Sequence, residues 1–548
     1  MTTASRWTER LAQRVGAWPA PRVTWGLVLV FAAWVLLDVL VLKLTGGLSQ
    51  STFDAMVRAR VVVAAPDPRM VIIDIDEASL VRMGPEFGRW PWPRDTLATV
   101  LAHIEAQQPA AVVWDILFSD ADRLSPGGDA AFNAAAQRSA HSHFSIVRLP
   151  QANDASSQIT QAVLPTLWLP QGGQRPASAS TVALIPPALA EVANGRLGFN
   201  NGYVDADGVL RRYRYLEPLA DGSVLKSLPF SVVDAIDKEA AQAYQLGHRS
   251  RFEPKDELIA WRRRADAYPH VSFADVFAQA EGAKPWAAVP SFAGKVVIIG
   301  STAPSLHDIH PTPLSNMQAG VDSLATVLDN LLNQRHMAEL PRWLQALLAI
   351  GLCIGLALWV QFKSVSSLAP ALWALPVALL GLSYLSLNGL PVFLDLHLAA
   401  ALALVFLALL RFWNTLRRNH WCTPPEPAQG LALWPWMRSD AWLDGDLDRL
   451  IDALAQHAPT CRVIVCDASV AWPATLRWPE LARCAAVVGS MDSVQAARVA
   501  LQPTLQRLQS CCGEPIALAG SADRNSWATH VFSAWSALQL TDINRQGH

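Results

Sequence analysis

The chain has 548 residues, with 44 Lys plus Arg against 46 Asp plus Glu, so its formal net charge is only −2. Hydrophobic residues make up 51% of it and charged residues 16%. This balance is typical of a membrane protein whose soluble parts are large enough to bury their own cores. No basic stretch with interleaved aromatic residues occurs, which excludes nucleic acid as the expected partner.

Four apolar runs are long enough to cross a lipid bilayer as helices, at residues 23–42, 343–362, 368–387 and 391–412. A helix needs about 20 apolar residues for this. The first run is longer than the apolar part of a secretory signal peptide and continues into Lys43, so we interpret residues 23–44 as a retained transmembrane helix. A multi-pass protein of the bacterial inner (cytoplasmic) membrane, with the lipid bilayer as a partner, is therefore expected.

Basic residues near the ends of these runs predict the orientation. Basic residues favour the cytoplasmic side of a membrane, and here they precede the first run and follow the last. Residues 1–22 and the carboxyl terminus are therefore expected in the cytoplasm, and residues 45–341 in the periplasm. The basic residues are Arg6, Arg10, Arg14, Arg22, Arg411, Arg417 and Arg418. Lys43, Arg335 and Arg342 on the opposite side weaken this bias. Cysteine is absent between residues 45 and 342, as suits a segment exported to an oxidising compartment.

Residues 45–341 alternate strand-like and helix-like patterns. Continuous β-branched runs at 70–75, 110–118 and 295–300 predict buried strands, and the apolar spacing at 96–107 and 320–332 predicts helices. Strands that are apolar on both faces belong to parallel sheets covered by helices, so an α/β fold is expected here. Residues 210–218 and 257–262 are expected to add antiparallel strands at its edge.

Several ordered blocks of this region resemble a known family. They are VIIDIDE at 71–77, GRWPWPR at 88–94, WDILF at 114–118, DADGVLRR at 205–212, FAGKVVIIGSTAP at 292–304 and GVDSLA at 320–325. In this order they resemble the type 2 CHASE domain, an extracytoplasmic sensor of bacterial signalling proteins. The resemblance covers roughly residues 45–335 and implies three transmembrane helices after the sensor. Leu324 departs from the pattern, since family members often carry a histidine there.

Polar residues follow the predicted strands and define a candidate ligand site, because ligands of open α/β sheets lie beyond the carboxyl ends of the strands. The candidates are Asp74, Asp76, Glu77, Arg94, Asp115, Ser301, Thr302 and Asp308. The competing interpretation is structural: Asp and Ser at strand ends commonly cap the next helix or close a turn. The loop at 89–94 has the same two readings, as a recognition loop or as packing over the end of the sheet.

No metal site, catalytic residue or cofactor is expected. His307 and His310 flank Asp308 but have no clear third protein ligand. Asp205 and Asp207 do not fit a calcium loop, because Tyr203 and Arg214 occupy its first and last ligand positions. A turn between two strands explains them better.

After the fourth run, residues 413–430 are interpreted as a connector and residues 431–548 as a small cytosolic α/β domain. Strands are predicted at 462–466, 485–489 and 515–519, and helices at 440–456 and 494–509. No phosphate-binding loop, kinase or cyclase motif is recognisable, so enzymatic activity is not expected. Strand-end groups at Asp467, Ser469, Gly520 and Asp523 are explained as helix caps or as a nucleotide pocket.

These observations favour a sensor for signal transduction, in which the periplasmic domain detects an unknown ligand or protein and the inner domain relays the change to a separate cytosolic partner protein. The alternative is a structural or assembly subunit of an envelope machine such as a secretion apparatus. A diverged enzyme is a third hypothesis. A homodimer is expected by analogy with receptors of this kind.

Overall fold

The computed structural model describes residues 15–42, 46–123, 125–169, 181–219, 221–250, 256–335, 337–363, 365–390, 392–422, 431–438, 444–465, 484–507, 510–517 and 534. They form two compact units. The larger unit comprises Gly46–Pro341 with Leu382–Asp395, and the other comprises Met1–Thr45, Arg342–Gly381 and Leu396–His548. The larger unit corresponds closely to the predicted segment 45–341.

The helices, in chain order, are α1 (Ala20–Leu37), α2 (Gly46–Arg58), α3 (Glu77–Phe87), α4 (Arg94–Glu105), α5 (Pro126–Arg138), α6 (Ala190–Asn194), α7 (Leu228–Ile236), α8 (Lys238–Ser250), α9 (Phe273–Ala280), α10 (Gly320–Leu332), α11 (Arg342–Phe362), α12 (Ala371–Gly389), α13 (His397–Cys422), α14 (Asp444–His457) and α15 (Met491–Arg507). Helix α1 continues as a π-helical turn over Asp38–Leu42.

The strands are β1 (Met70–Asp74), β2 (Ala111–Trp114), β3 (Ser142–Arg148), β4 (Leu184–Ile185), β5 (Arg196–Phe199), β6 (Arg212–Tyr213), β7 (Leu216–Pro218), β8 (Val224–Lys226), β9 (Glu257–Leu258), β10 (His270–Ser272), β11 (Val296–Gly300), β12 (Ile309–His310), β13 (Gln318–Ala319), β14 (Ala338–Glu339), β15 (Val392–Phe393), β16 (Leu431–Arg438), β17 (Arg462–Val465), β18 (Cys484–Ser490), β19 (Ser510–Cys512) and β20 (Ile516–Ala517).

The larger unit is built on a sheet with the strand order β10-β1-β11-β2-β3-β4, in which β5 also pairs with β3. All of its pairings are parallel except that of β3 with β4. Alternate side chains of β11 enter opposite cores: Val297 and Ile299 pack on one face and Val296 and Ile298 on the other. The predicted α/β fold with two covered faces is therefore confirmed for this unit.

The strand order was not predicted, and one detail of the predicted sheet is wrong. Strand β11 lies between β1 and β2, so these two strands, which are consecutive in the sequence pattern, are not neighbours in space. The expected antiparallel additions do not extend the main sheet. Instead, β6 pairs with β9 and β7 with β8, each as a separate two-stranded sheet.

Within the described residues, four helices are long and apolar enough to cross a membrane: Ala20–Leu42, Arg342–Phe362, Ala371–Gly389 and His397–Cys422. The first two agree with the predicted runs. The third begins three residues later than predicted, and the fourth begins at His397 because Val392–Phe393 pairs with Ala338–Glu339 as a strand. In the smaller unit, residues of α1, α11 and α13 share one apolar core, in which Phe31 and Phe406 meet edge to face at 5.7 Å.

Helix α13 does not end at the predicted boundary of the fourth span. It continues to Cys422, so the first ten residues of the predicted connector are helical, and residues 423–430 lie outside the described residues. Trp421 and Cys422 are buried in the apolar core that also contains Trp434 and Trp436. The fourth apolar helix therefore runs directly into the core of the carboxyl-terminal domain.

The carboxyl-terminal domain has an antiparallel sheet with the order β17-β18-β16-β19, and β20 also pairs with β16. Strand β16 was not predicted, because Pro435 interrupts its pattern between Trp434 and Trp436. Of the predicted strand-end groups, Asp467, Ser469, Gly520 and Asp523 lie outside the described residues, as do Arg6, Arg10 and Arg14.

Candidate functional site

A cavity of about 470 Å³ lies in the larger unit at the carboxyl ends of its parallel strands. We call it the strand-end cavity. Residues after β1, β2, β5 and β11 reach it, as do residues of α10. Its lining is Ile75, Trp90, Pro91, Asp115, Ile116, Leu117, Ser145, Ile146, Val147, Asn200, Gly202, Leu210, Tyr213, Ser301, Leu306, Asp308, His310, Gly320, Ser323, Leu324 and Val327. Its volume falls in the range of small-molecule sites.

A chain of hydrogen bonds crosses the wall of the cavity. The Tyr213 hydroxyl donates to Oδ1 of Asn200 at 3.0 Å, and Nδ2 of Asn200 donates to Oδ1 of Asp115 at 2.7 Å. Asp115 is fixed because its backbone N–H donates to Ile299 of the adjacent strand at 2.8 Å. The carboxylate of Asp115 is thus held by a neutral amide at the end of β2.

The charges near Asp115 disfavour its ionised form. Burial, followed by repulsion from Asp308, raises the pKa of Asp115 to about 7, although the hydrogen bond from Asn200 acts in the opposite direction. His310 lies 3.4 Å from Asp308, and its hydrogen bond to that carboxylate raises the pKa of His310. His310 therefore contacts Asp308 directly, whereas Asp115 has the Asn200 amide as its hydrogen-bond partner and is influenced by His310 only from a distance.

Gly320 makes room for the Asp308 carboxylate. A Cβ atom at position 320 would lie only 2.4 Å from Oδ2 and 2.6 Å from Oδ1 of Asp308. The backbone N–H of Gly320 also donates to the carbonyl of Asp308 at 3.0 Å. The absence of a side chain at the start of α10 therefore sets the position of Asp308 at the cavity.

Three of the predicted site residues line this cavity: Asp115, Ser301 and Asp308. The other five, Asp74, Asp76, Glu77, Arg94 and Thr302, are absent from its lining and have structural partners. Ser301 is itself partly structural, since its hydroxyl donates to the carbonyl of Ile75 at 2.8 Å.

Asp74 and Thr302 belong to an ion-pair cluster beside the cavity. Thr302 donates to Asp74 through its backbone N–H at 2.8 Å and through its hydroxyl at 2.6 Å. His270 lies between Asp74 and Asp322, 3.1 Å from each carboxylate. Burial lowers the pKa of His270, but the hydrogen bonds to Asp322 and Asp74 outweigh burial and raise that pKa to about 9. This cluster joins β1, β10, α10 and the loop after β11.

Asp76 is the amino-terminal cap of α3, since its Oδ1 accepts the backbone N–H of Ser79 at 2.7 Å. Oε1 of Glu77 accepts the N–H of Ser305 at 3.1 Å. The structural interpretation therefore describes both residues in this structure, because their oxygens hold backbone amides.

Arg94 fastens the loop that follows β2. Its guanidinium lies 3.5 Å from Asp129 and 5.2 Å from the ring centre of Phe118, and it donates to the carbonyl of Asp120. In the adjacent loop, Trp90 and Pro91 line the cavity, whereas Trp92 is buried and packs on Phe273. Both interpretations of this loop thus apply, each to different residues.

Asn200 and Tyr213 line the cavity but were not among the residues predicted from the sequence. Asn200 follows β5, a strand whose sequence RLGF has no apolar run, and Tyr213 belongs to a strand of only two residues. The doublet Asn200-Asn201 before Gly202 was the available signal, because adjacent amides after a strand often fix loops by hydrogen bonding.

The carboxylates of the turn at residues 205–212 pair with arginines. Asp205 and Asp207 both contact Arg211, at 3.0 and 2.7 Å. His307 contacts its own loop through the carbonyl of Ser305. Among the residues that the structure describes, no group of three His, Cys, Asp or Glu side chains is arranged to hold a metal ion.

Two arginines that precede Tyr213 bind the segments that join the larger unit to apolar helices. Arg211 is buried and contacts Asp54 of α2 at 2.7 Å, and α2 follows the first apolar helix in the chain. Arg212 contacts Glu339 of β14 at 2.8 Å, and β14 precedes α11. Residues 211–213 therefore connect the cavity wall to both joining segments.

An α/β domain with a ligand-sized cavity, inserted between apolar helices of membrane-spanning length, has the architecture of a sensor. The chain belongs to the CHASE2 domain family, whose model matches residues 26–360. CHASE2 is a family of extracellular sensor domains. The resemblance noted in the sequence blocks is confirmed by this match. No curated protein and no solved structure matches the chain.

Proposed function

We propose that this protein is an inner-membrane sensor whose CHASE2 domain binds a small extracytoplasmic ligand in the strand-end cavity and relays the event to a separate cytosolic partner. One observation carries the proposal: the consecutive residues 211–213 contact the cavity wall and both joining segments. Ligands bias a protein toward the arrangement that they bind more tightly. A ligand that moves Asn200 or Tyr213 therefore acts directly on the residues that hold α2 and β14.

The joining segments are also fastened to each other and to the end of α12. Ser49 of α2 donates to Asp395 at 2.6 Å, Phe53 packs edge to face on Phe393, and β14 pairs with β15. The hydroxyl of Tyr384 donates to the carbonyl of Ala59 at 2.7 Å. These contacts supply a mechanical route from the domain to the segments adjoining α1, α11, α12 and α13.

Within the smaller unit, ion pairs and a hydrogen bond attach the carboxyl-terminal domain to the apolar helices and to the segment between two of them. Arg417, in the extension of α13, is 1% exposed and pairs with Asp452 of α14. Asp448 pairs with Arg418 at 3.3 Å and accepts the hydroxyl hydrogen of Ser366, in the segment between α11 and α12, at 2.6 Å. We propose that this domain is a non-enzymatic docking module that passes helix movement to its partner.

The topology that fits this proposal places residues 45–341 in the periplasm and both termini in the cytoplasm. The basic residues at the two ends of the chain and the lack of cysteine between residues 45 and 342 support it. Alkaline phosphatase fused near residue 200 should be active, and the same enzyme fused after His548 should be inactive. The reverse pattern would contradict the orientation. We propose a homodimer as the working state, testable by mass measurement in nanodiscs.

The relay itself is tested by neutralising Asp115 in the full-length protein in nanodiscs and measuring hydrogen–deuterium exchange. We expect Asp115→Asn to change exchange in residues 46–58 and 338–341, because it alters the partner of Asn200. With Arg212→Gln in the same chain, the change at 338–341 should be lost. Asp266→Asn is the matched control, because Asp266 forms an exposed pair with Arg264.

If exchange changes around the cavity but at neither joining segment, the relay is absent. A structural subunit of an envelope machine is then the better interpretation. Crosslinking of residues 431–548 in native membranes identifies the partner and separates the two functions further, since a sensor should contact a regulatory protein and a scaffold should contact other envelope subunits.

A further inference from the structure

The strand-end cavity has an unusual balance of charge. Its ionisable lining consists of Asp115, Asp308, His310 and Tyr213, and among the described residues that line it none is Lys or Arg. Burial keeps the pKa of Tyr213 well above its ordinary value, so Tyr213 is neutral at physiological pH. His310 forms its ion pair with Asp308 and acts on Asp115 only at longer range, so among the described residues Asp115 has no cation in direct contact.

That carboxylate also has an unused acceptor. Oδ1 of Asp115 accepts the hydrogen bond from Asn200, but Oδ2 accepts none from the residues that the structure describes. Asp115 is half-buried at the cavity, and a carboxylate that is partly removed from water shifts toward its neutral form unless it is paired or fully hydrogen-bonded. The cavity therefore presents one carboxylate oxygen that can accept a hydrogen bond from a cationic ligand.

Most of the remaining lining is apolar. Aliphatic side chains and one indole line the same cavity as the carboxylate, among them Ile75, Trp90, Ile146, Leu210, Leu306 and Leu324. An apolar lining favours a ligand with a hydrocarbon or aromatic body, because apolar surface is then removed from water. A strongly hydrated ligand body gains little free energy there. The indole of Trp90 also offers a face on which a cation is favourable.

We propose that the strand-end cavity binds a small organic monocation, a protonated primary amine with an apolar body, whose ammonium group donates to Asp115. This proposal rests on the proposed sensor function and names the chemical class of its ligand. An anion is disfavoured, since no basic side chain other than His310 lines the described cavity. A diamine gains less than a monoamine, because Asp308 already has its partner in His310.

Binding of such a ligand is linked to protonation of Asp115. An ammonium group favours the ionised carboxylate, whose pKa in the free domain is raised to about 7. Below that pH, each ligand bound displaces a proton from Asp115, so the affinity should fall about tenfold per pH unit. Protonation of His310 acts in the same direction, because it makes the cavity more positive.

The test uses the full-length protein in nanodiscs and two matched probe series. The first is 2-phenylethylamine, 2-phenylethanol and phenylacetate, and the second is hexylamine, hexanol and hexanoate. Within each series the body is shared and the head group is cationic, neutral or anionic. Calorimetry measures binding, and thermal unfolding shows that each variant is folded.

We expect at least one amine to bind at least tenfold more tightly than its alcohol at pH 8, with the carboxylate weakest, and we expect this preference to vanish in Asp115→Asn. Asp266→Asn should retain it. Equal binding of amine and alcohol, preferred binding of the carboxylate, or no binding of either amine overturns the proposal. If an alcohol binds in the cavity and changes exchange at residues 46–58 and 338–341, the sensor function stands and only the ligand class fails.

Discussion

His270 bridges Asp74 of β1 and Asp322 of α10, with one ring nitrogen 3.1 Å from each carboxylate. The cluster ties β1, the strand next to the edge strand β10, to the helix that precedes the second apolar span. Burial of the imidazole disfavours its charged form, but the hydrogen bonds to the two carboxylates outweigh burial, so the protonated form of His270 is favoured.

This bridge makes the stability of the domain dependent on pH. The pKa of His270 is raised to about 9 in the folded domain, so its contribution is complete below the unfolded value near 6.5 and is lost as pH rises through 9. We expect the domain to lose about 3 kcal/mol of unfolding free energy between pH 6.5 and pH 9.5 through this group. His270→Gln should flatten the dependence, as measured by denaturant unfolding of the detergent-solubilised chain.

The control is His307→Gln, because His307 is exposed and contacts only its own loop. That variant should show the wild-type pH dependence. If His270→Gln and wild type lose the same free energy over this interval, the bridge does not carry the charge that the geometry assigns to it.

The contact of Arg211 with Asp54 should decide whether α2 stays attached to the domain. Arg211 is 1% exposed and also pairs with Asp205 and Asp207. Replacing it with Met leaves Asp54 buried without its cation, and breaking a buried ion pair from one side costs about 3–5 kcal/mol. We therefore expect Arg211→Met to lower the thermal unfolding midpoint and to expose residues 46–58 to limited proteolysis.

Arg264→Met is the matched control, since its pair with Asp266 is exposed and exposed pairs contribute about 0–1 kcal/mol. The double variant Arg211→Met, Asp54→Leu should recover part of the loss, because it removes the orphaned charge. If Arg211→Met and Arg264→Met lower the thermal unfolding midpoint equally, the charge of Arg211 contributes no more than that of an exposed pair. Arg211 then acts only through its hydrocarbon stem.

Arg417 should hold the carboxyl-terminal domain against the extension of α13. It pairs with Asp452, and burial raises the pKa of Asp452 although Arg417 opposes that shift. We expect Arg417→Ala to reduce protection of residues 444–457 in hydrogen–deuterium exchange, because α14 then loses an attachment to the helix. Arg449→Ala is the control: Arg449 is exposed and lies 3.9 Å from Asp446 on its own helix. If the protection of residues 444–457 is the same in Arg417→Ala and wild type, Arg417 does not hold α14 against the extension of α13.

The sequence predicted the parts of the fold that depend on continuous patterns. The residues of β1, β2 and β11 are buried on both faces, so their β-branched runs were visible, and α10 begins and ends where its apolar spacing indicates. Strand β5 was invisible because its pattern contains Gly198, where a Cβ atom would lie 2.4 Å from the backbone of Leu228. Close approach between chain segments, rather than periodicity, selects that residue.

The candidate site could be predicted only in part for the same reason. Position after a parallel strand indicated Asp115, Ser301 and Asp308, but the same rule selected Asp74 and Asp76, whose oxygens hold Thr302 and Ser79. Sequence spacing does not distinguish a carboxylate that faces a cavity from one that caps a helix. Whether such a carboxylate faces the cavity depends on the order of the strands in the sheet, in which β11 lies between β1 and β2.

Gly320 offers a final test of how the cavity is built. An alanine there would bring its Cβ within 2.4 Å of the Asp308 carboxylate, closer than real contacts allow, so the loop or the carboxylate must move. We expect Gly320→Ala to destabilise the domain by about 1–3 kcal/mol, in the range found for overpacked sites, and to shift the side-chain resonances of His310. Gly84→Ala in α3 is the control, because no atom lies within 4 Å of its added Cβ. That variant should gain about 0.5–1 kcal/mol from helix propensity. Equal effects of the two substitutions on stability, with His310 unchanged, would show that Asp308 does not depend on the space at position 320.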